Sequence, residues 1–117
     1  GGARVVTAFV ALQEVREEAL GPTLFCPGTH APRCFPDGRW RAPEEADEEL
    51  RAARPPVWFG LGAGDAVLMD SLAWHRGGAN TSGRRRALLS VSFASPGAGP
   101  CGAAGADADV FRLRDFL

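Results

Sequence analysis

The chain contains no lysine and no tyrosine, and all thirteen of its basic residues are arginine. Without lysine there is no Schiff-base chemistry and no phosphate-loop lysine, and without tyrosine there is no phenolic acid. Only two histidines occur, His30 and His75, so a metal site using imidazole from this chain uses one or both. Cysteine is scarce and odd in number. Cys26, Cys34 and Cys101 leave one over when any two pair, which fits a reducing cytoplasm or organellar lumen better than a secreted disulfide framework. No apolar run approaches the roughly 18 residues of a membrane span. The chain opens on Gly1-Gly2 with neither an initiator methionine nor a charged-then-apolar leader, so the expectation is a protein that is not secreted and whose true N-terminus lies upstream. An excess of one charge is also missing, because thirteen basic residues face fourteen acidic ones. That balance provides no broad field for nucleic acid or an anionic membrane, which removes both as expected partners and leaves the oligomeric state open.

The 117 residues, 45% of them apolar, suit one small domain or part of one. Fifteen glycines and nine prolines punctuate the apolar runs, which points to a strand-rich, all-β class with turns about every ten residues. Val5 to Leu12 is nearly continuously apolar and predicts a strand buried on both faces. Thr23 to Cys26 predicts a second strand, stopped by Pro27-Gly28. Ala42 to Arg54 predicts one short surface helix, with Pro43 in its first turn and Pro55-Pro56 ending it. Its run of carboxylates reads as solvated charge. Val57 to Phe59, Ala66 to Met69 and Leu72 to His75 predict short extended pieces. A loop from Arg76 to Gly83 then precedes a long strand from Arg85 to Phe93. Residues 95–105 form a Gly/Ala/Pro-rich linker, and 106–117 a C-terminal element.

The two histidines differ in context. His75 opens onto Arg76-Gly77-Gly78, where small residues leave room for a ligand beside the imidazole, whereas His30 sits in a proline-glycine turn. Arg86 follows His75 by eleven residues. Alternation from there places Arg86, Leu88, Ser90 and Ser92 on one face and Ala87, Leu89, Val91 and Phe93 on the other, which is expected to be plain core. A guanidinium heading a mixed polar face is costly to bury unpaired, and its planar fork suits a carboxylate.

Three stretches, Leu24-Phe25-Cys26-Pro27-Gly28-Thr29-His30, Gly64-Asp65-Ala66-Val67-Leu68-Met69 and His75-Arg76-Gly77-Gly78-Ala79-Asn80 through Arg86, together resemble the phytanoyl-CoA dioxygenase family from about Val5 to Phe93. The resemblance implies the C-terminal portion of a double-stranded β-helix, a cupin-like jelly roll. It also implies an oxidoreductase of the iron(II)- and 2-oxoglutarate-dependent dioxygenase type, which uses O2, gives succinate and CO2, and sometimes needs ascorbate. In that family a His-x-Asp pair and a later histidine hold the iron. His75 matches the later histidine as the metal ligand, Arg86 the anchor of the distal carboxylate of 2-oxoglutarate, and Phe9, across a one-residue gap, an aromatic packed on the co-substrate. No His-x-Asp occurs in the chain; the chain is therefore expected to start just downstream of the pair and to be inactive alone. The alternative is a non-catalytic jelly-roll binding module that has lost its iron site.

Other features have simpler accounts. Cys26, His30 and Cys34 are spaced like a zinc knuckle but lack a fourth ligand, so Cys26 is expected to be an ordinary buried thiol and His30 to shape its turn by hydrogen bonding. Asp65 after Gly64 closes a turn. Asn80 fixes the loop between His75 and Arg86, and Arg84 and Arg85 are solvated or substrate-side charges.

Overall fold

The computed structural model describes residues 4–96. The C-terminal element 106–117 and all but the start of the linker at 95–105 lie outside the described residues. The chain is mostly sheet with little helix: β1 (Val5–Ala11), β2 (Thr23–Phe25), α1 (Glu48–Ala52), β3 (Ala66–Asp70), β4 (His75–Gly77) and β5 (Leu88–Ala94). Three strands form an antiparallel sheet in the order β3-β1-β5, and β2 and β4 pair in an antiparallel ribbon. The apolar, β-branched β1 takes the central position, where strands of this composition fit. It is not buried on both faces throughout, however, since Val6 is exposed and Val5 and Val10 are half-buried.

The register Phe9 opposite Val67 and Ser90 puts Thr7, Phe9 and Ala11 on the face turned toward the ribbon. Phe9 and Phe25 meet edge to face across the gap, with centroids 5.7 Å apart, and link the two sheets. On this inner face the Thr7 hydroxyl bonds to Ser71 at 2.9 Å and to Ser92 at 2.8 Å, joining the three strands by side chains.

The opposite, outer face corrects an expectation. Leu89, Val91 and Phe93 are exposed, together with Leu68 of β3, so the face expected to be plain core lies open in this chain. Alternation identified the two faces correctly, but nothing among the described residues packs over the apolar one.

Between β2 and β3 the chain makes an excursion of its own. The helix expected over 42–54 is a single 3-10 turn, Pro43–Glu45, followed by α1. Asp47 caps α1 by accepting from the Leu50 amide at 2.7 Å, Glu48 and Glu49 occupy the first turn, and Arg51 the last, all favourable to the helix dipole. Leu50 packs with Phe35, Ala46 and Trp74 in a compact apolar cluster; burying side chains of that size contributes about 1.5–3 kcal/mol each. Val57 to Phe59 forms no full strand and contributes one bridge, Val57 to Phe25. No described helix is long and apolar enough to cross a membrane.

Candidate functional site

His75 begins β4 because the residues before it are fixed. The Asp70 carbonyl accepts from the Ala73 amide at 2.8 Å and its carboxylate from the Leu72 amide at 3.0 Å, which turns the chain back after β3. Trp74 is then buried, its indole N–H donating to the Arg41 carbonyl at 2.9 Å and its amide to the Thr29 hydroxyl at 2.7 Å. Thr29 is wholly buried, at 0% exposure, and its hydroxyl also donates to the Cys26 carbonyl at 2.7 Å. The turn-shaping role expected of His30 is thus filled by Thr29. The residue type gave a signal, since threonine hydroxyls bond nearby backbone, but sequence alone does not show that Trp74 is the partner.

After His75 the chain passes Gly77 and Gly78. A Cβ at Gly78 would lie 2.6 Å from the Pro22 carbonyl oxygen, so the pair of backbones can approach only with glycine there. The Gly78 amide uses that closeness, donating to the same Pro22 oxygen at 3.0 Å. Asn80 braces the following loop, donating to the Arg84 carbonyl at 2.7 Å and accepting from Ser82. Asp65 closes its turn by accepting from the Gly62 amide at 2.8 Å.

The His75 imidazole is exposed on one side, and its Nδ1 lies 2.9 Å from the Ala73 carbonyl. With Nδ1 donating its proton to that oxygen, Nε2 carries the lone pair, the arrangement common to metal-binding histidines. The ring also lies 5.9 Å from that of Phe9.

Arg86 stands two residues ahead of β5, not within it as the long strand predicted. Gln13 fixes the backbone on either side: its amide nitrogen donates to the Arg85 carbonyl at 3.0 Å, and its oxygen accepts from the Ala87 amide at 2.9 Å. Gln13 went unremarked in the sequence, where it is one polar residue after an apolar run. The Arg86 Nε is buried and has no hydrogen-bond partner. Arg84 instead reaches outward to Glu17 at 2.7 Å.

Arg86 and Phe9 line one cavity between the two sheets, with Phe25, Phe59, Val67 and Leu88 among its walls. It is narrow, about 20 Å³, room for a water molecule. His75 is not in its lining and joins the pair only through Phe9. Among the described residues no three His, Cys, Asp or Glu side chains converge on a point that a metal could occupy. Asp70 is engaged in its turn. Cys26 carries a thiol whose pKa burial raises, against a smaller downward pull from Arg76.

The family model described as phytanoyl-CoA dioxygenase matches residues 2–88 of this chain. The chain belongs to that family. It is similar to the crystal structure of AviO1 from Streptomyces viridochromogenes Tue57, at 25% identity and a TM-score of 0.65 over 87% of this chain and 42% of that one. It is similar also to the crystal structure of EvdMO1, at 26% identity and a TM-score of 0.60 over 80% of this chain and 20% of that one. The chain thus corresponds to less than half the length of either. Phytanoyl-CoA dioxygenase family members are generally oxygenases and typically use iron(II) and 2-oxoglutarate. Within that frame, the carboxylate anchor fits what is present, a buried guanidinium nitrogen without a partner. The metal fits only in part, since among the described residues no three ligand side chains converge.

Proposed function

We propose that this chain provides the co-substrate grip and one metal ligand of an iron(II)- and 2-oxoglutarate-dependent dioxygenase that hydroxylates a small organic molecule. Its two facing sheets would then be part of a double-stranded β-helix. The single observation that carries this reading is the Arg86 Nε, buried and unpaired in the cavity that Phe9 shares. A buried donor without a partner is costly, and a carboxylate that accepts from the guanidinium by two parallel hydrogen bonds removes the cost.

In this reading Arg86 holds the far carboxylate, Gln13 keeps the Arg86 backbone in place, and Phe9 packs between the co-substrate and the His75 ring. His75 would bind iron through Nε2 while Ala73 holds its other nitrogen. When bound, iron and 2-oxoglutarate together supply the oxidising chemistry, with O2 consumed and succinate and CO2 released. The apolar walls disfavour water around the co-substrate, and the narrowness of the cavity means that side chains move apart to admit a five-carbon dicarboxylate. One observation favours a second reading, a binding module without iron: no metal-sized cluster of ligands exists among the described residues.

The test is 2-oxoglutarate affinity by calorimetry, together with succinate release by the full-length protein in the presence of iron(II), ascorbate and O2. Truncating one partner of a buried charge pair costs about 2–5 kcal/mol, so Arg86→Ala is expected to weaken 2-oxoglutarate on the order of 100-fold. Unchanged affinity in that variant would defeat the proposal. Affinity that depends on Arg86 without iron-dependent succinate release would select the binding module.

A further inference from the structure

A second concavity, about 350 Å³, lies on the other side of the β2–β4 ribbon, where the excursion between β2 and β3 folds against it. Strand alternation explains why it is separate. Phe25 and His75 pair and meet Phe9 on the inner side, whereas Leu24 and Arg76 pair one position along and point outward. Leu24, Trp74, Pro43 and Pro56 give the groove apolar walls, and His75 reaches its rim.

Its lining is net cationic. Arg51, Arg54 and Arg76 all line the groove, and none of them makes an ion pair among the described residues, where the pairs are Arg16–Glu14, Arg41–Asp37 and Arg84–Glu17. Glu44 also lines it without pairing. Arg51 donates to the Ala46 carbonyl at 2.8 Å, and Arg54 donates to the Cys34 carbonyl. Those bonds fix two guanidinium groups in position but leave their charge in place. The Arg54 Nε is buried without any partner, the same condition as Arg86. Apolar walls with a few fixed polar groups are the usual make-up of a small-molecule site, and guanidinium groups select carboxylate or phosphate.

We propose that this groove binds the anionic group, carboxylate or phosphate, of a substrate whose apolar body lies along Trp74 toward His75. That the ligand is the molecule oxidised rests on the dioxygenase reading, whereas anion binding in the groove does not. Arg76 and Arg51 are exposed, Arg54 is half-buried, and the backbone bonds of Arg51 and Arg54 make those two the fixed members.

The experiment is calorimetric titration of the full chain with 1-naphthyl phosphate, 1-naphthoate and the neutral 1-naphthalenemethanol. The two anions are expected to bind and the alcohol to bind at least tenfold more weakly, since hydrogen bonds to charged groups account for roughly tenfold or more each. Arg76→Gln, at an exposed position that leaves the fold intact, is expected to weaken both anions about tenfold and to leave 2-oxoglutarate affinity unchanged. Arg54→Ala is the second variant, accepted once its circular dichroism matches the parent chain. A preference between phosphate and carboxylate identifies the group. Absence of binding by either anion, equal affinity for the alcohol, or affinity unaltered in both variants overturns the proposal. So does a loss that follows Arg86→Ala instead, because the anions would then sit on the co-substrate grip. If Arg86→Ala fails to weaken 2-oxoglutarate while Arg76→Gln weakens the naphthyl anions, the groove stands and the dioxygenase reading falls.

Discussion

Leu68 and Met69 are neighbours on β3, yet Leu68 is 71% exposed and Met69 only 6%. The difference belongs to the two faces of the three-stranded sheet. The inner face carries Thr7, Phe9, Met69 and Ser92 and faces the ribbon, and the Arg86 cavity opens on it. The outer face carries Leu68, Leu89, Val91 and Phe93 and is bare. The polar, chemically mixed face is thus the one turned toward the ribbon, enclosed at Thr7 and Met69 but open at Ser90 and Ser92, while the apolar face exposes its large side chains. Apolar character marks a surface that favours cover, but only contact shows that cover exists.

The largest effect expected from this contrast is at Met69. Met69→Ala removes buried thioether packing and leaves a void, a change that costs about 2–5 kcal/mol, and urea denaturation monitored by circular dichroism measures it. A loss below 1 kcal/mol would mean that the inner face is not packed as described.

How much of this was legible in the sequence depends on range. Short apolar runs bounded by turn residues placed β1, β2 and β3 within a residue or two, and period-two alternation sorted the residues of β5 into two faces, because both signals are local. Neither could say which face is enclosed, since that is decided by the ribbon some fifteen residues away through contacts such as Phe9 on Phe25. His75 and Arg86 were singled out by residue type and by the family resemblance, and the structure brings each to Phe9, one through its ring and one through a shared cavity. Gln13 and Thr29 were not legible as supports. Each bonds to backbone far along the chain, at Arg85, Ala87 and Trp74, and sequence gives no register for such bonds. The helix over 42–54 was overcalled because alanine, glutamate and arginine favour helix everywhere in that stretch, while Pro43 and the Asp47 cap restart the backbone inside it.

A middle-sized effect is expected at Thr7. Its hydroxyl is the shared partner of Ser71 and Ser92, so Thr7→Val keeps the shape but leaves both serines short of a bond. Net hydrogen-bond contributions of about 0.5–1.5 kcal/mol each put the loss near 1–2 kcal/mol, smaller than at Met69. The same denaturation assay checks it, and the Ser71→Ala/Thr7→Val double variant shows whether the hydroxyls act as one unit. Strict additivity of the two losses would sink that idea.

The smallest effect is expected where hydropathy alone would place a large one. Leu68→Ser deletes an apolar side chain from β3, but most of that side chain already meets solvent, and surface substitutions away from packing features stay within about 0.5 kcal/mol. The same holds, somewhat less cleanly, for Leu89→Ser, because Leu89 is 47% exposed and retains partial contact. Solubility should respond more than stability: replacing exposed apolar side chains of this face by serine shrinks an exposed patch of the kind that drives association. Light scattering at rising concentration, run beside the urea midpoint, separates the two quantities. If Leu68→Ser lowers stability as much as Met69→Ala does, the outer face is covered in solution, and the contrast between the faces is one of sequence and not of burial.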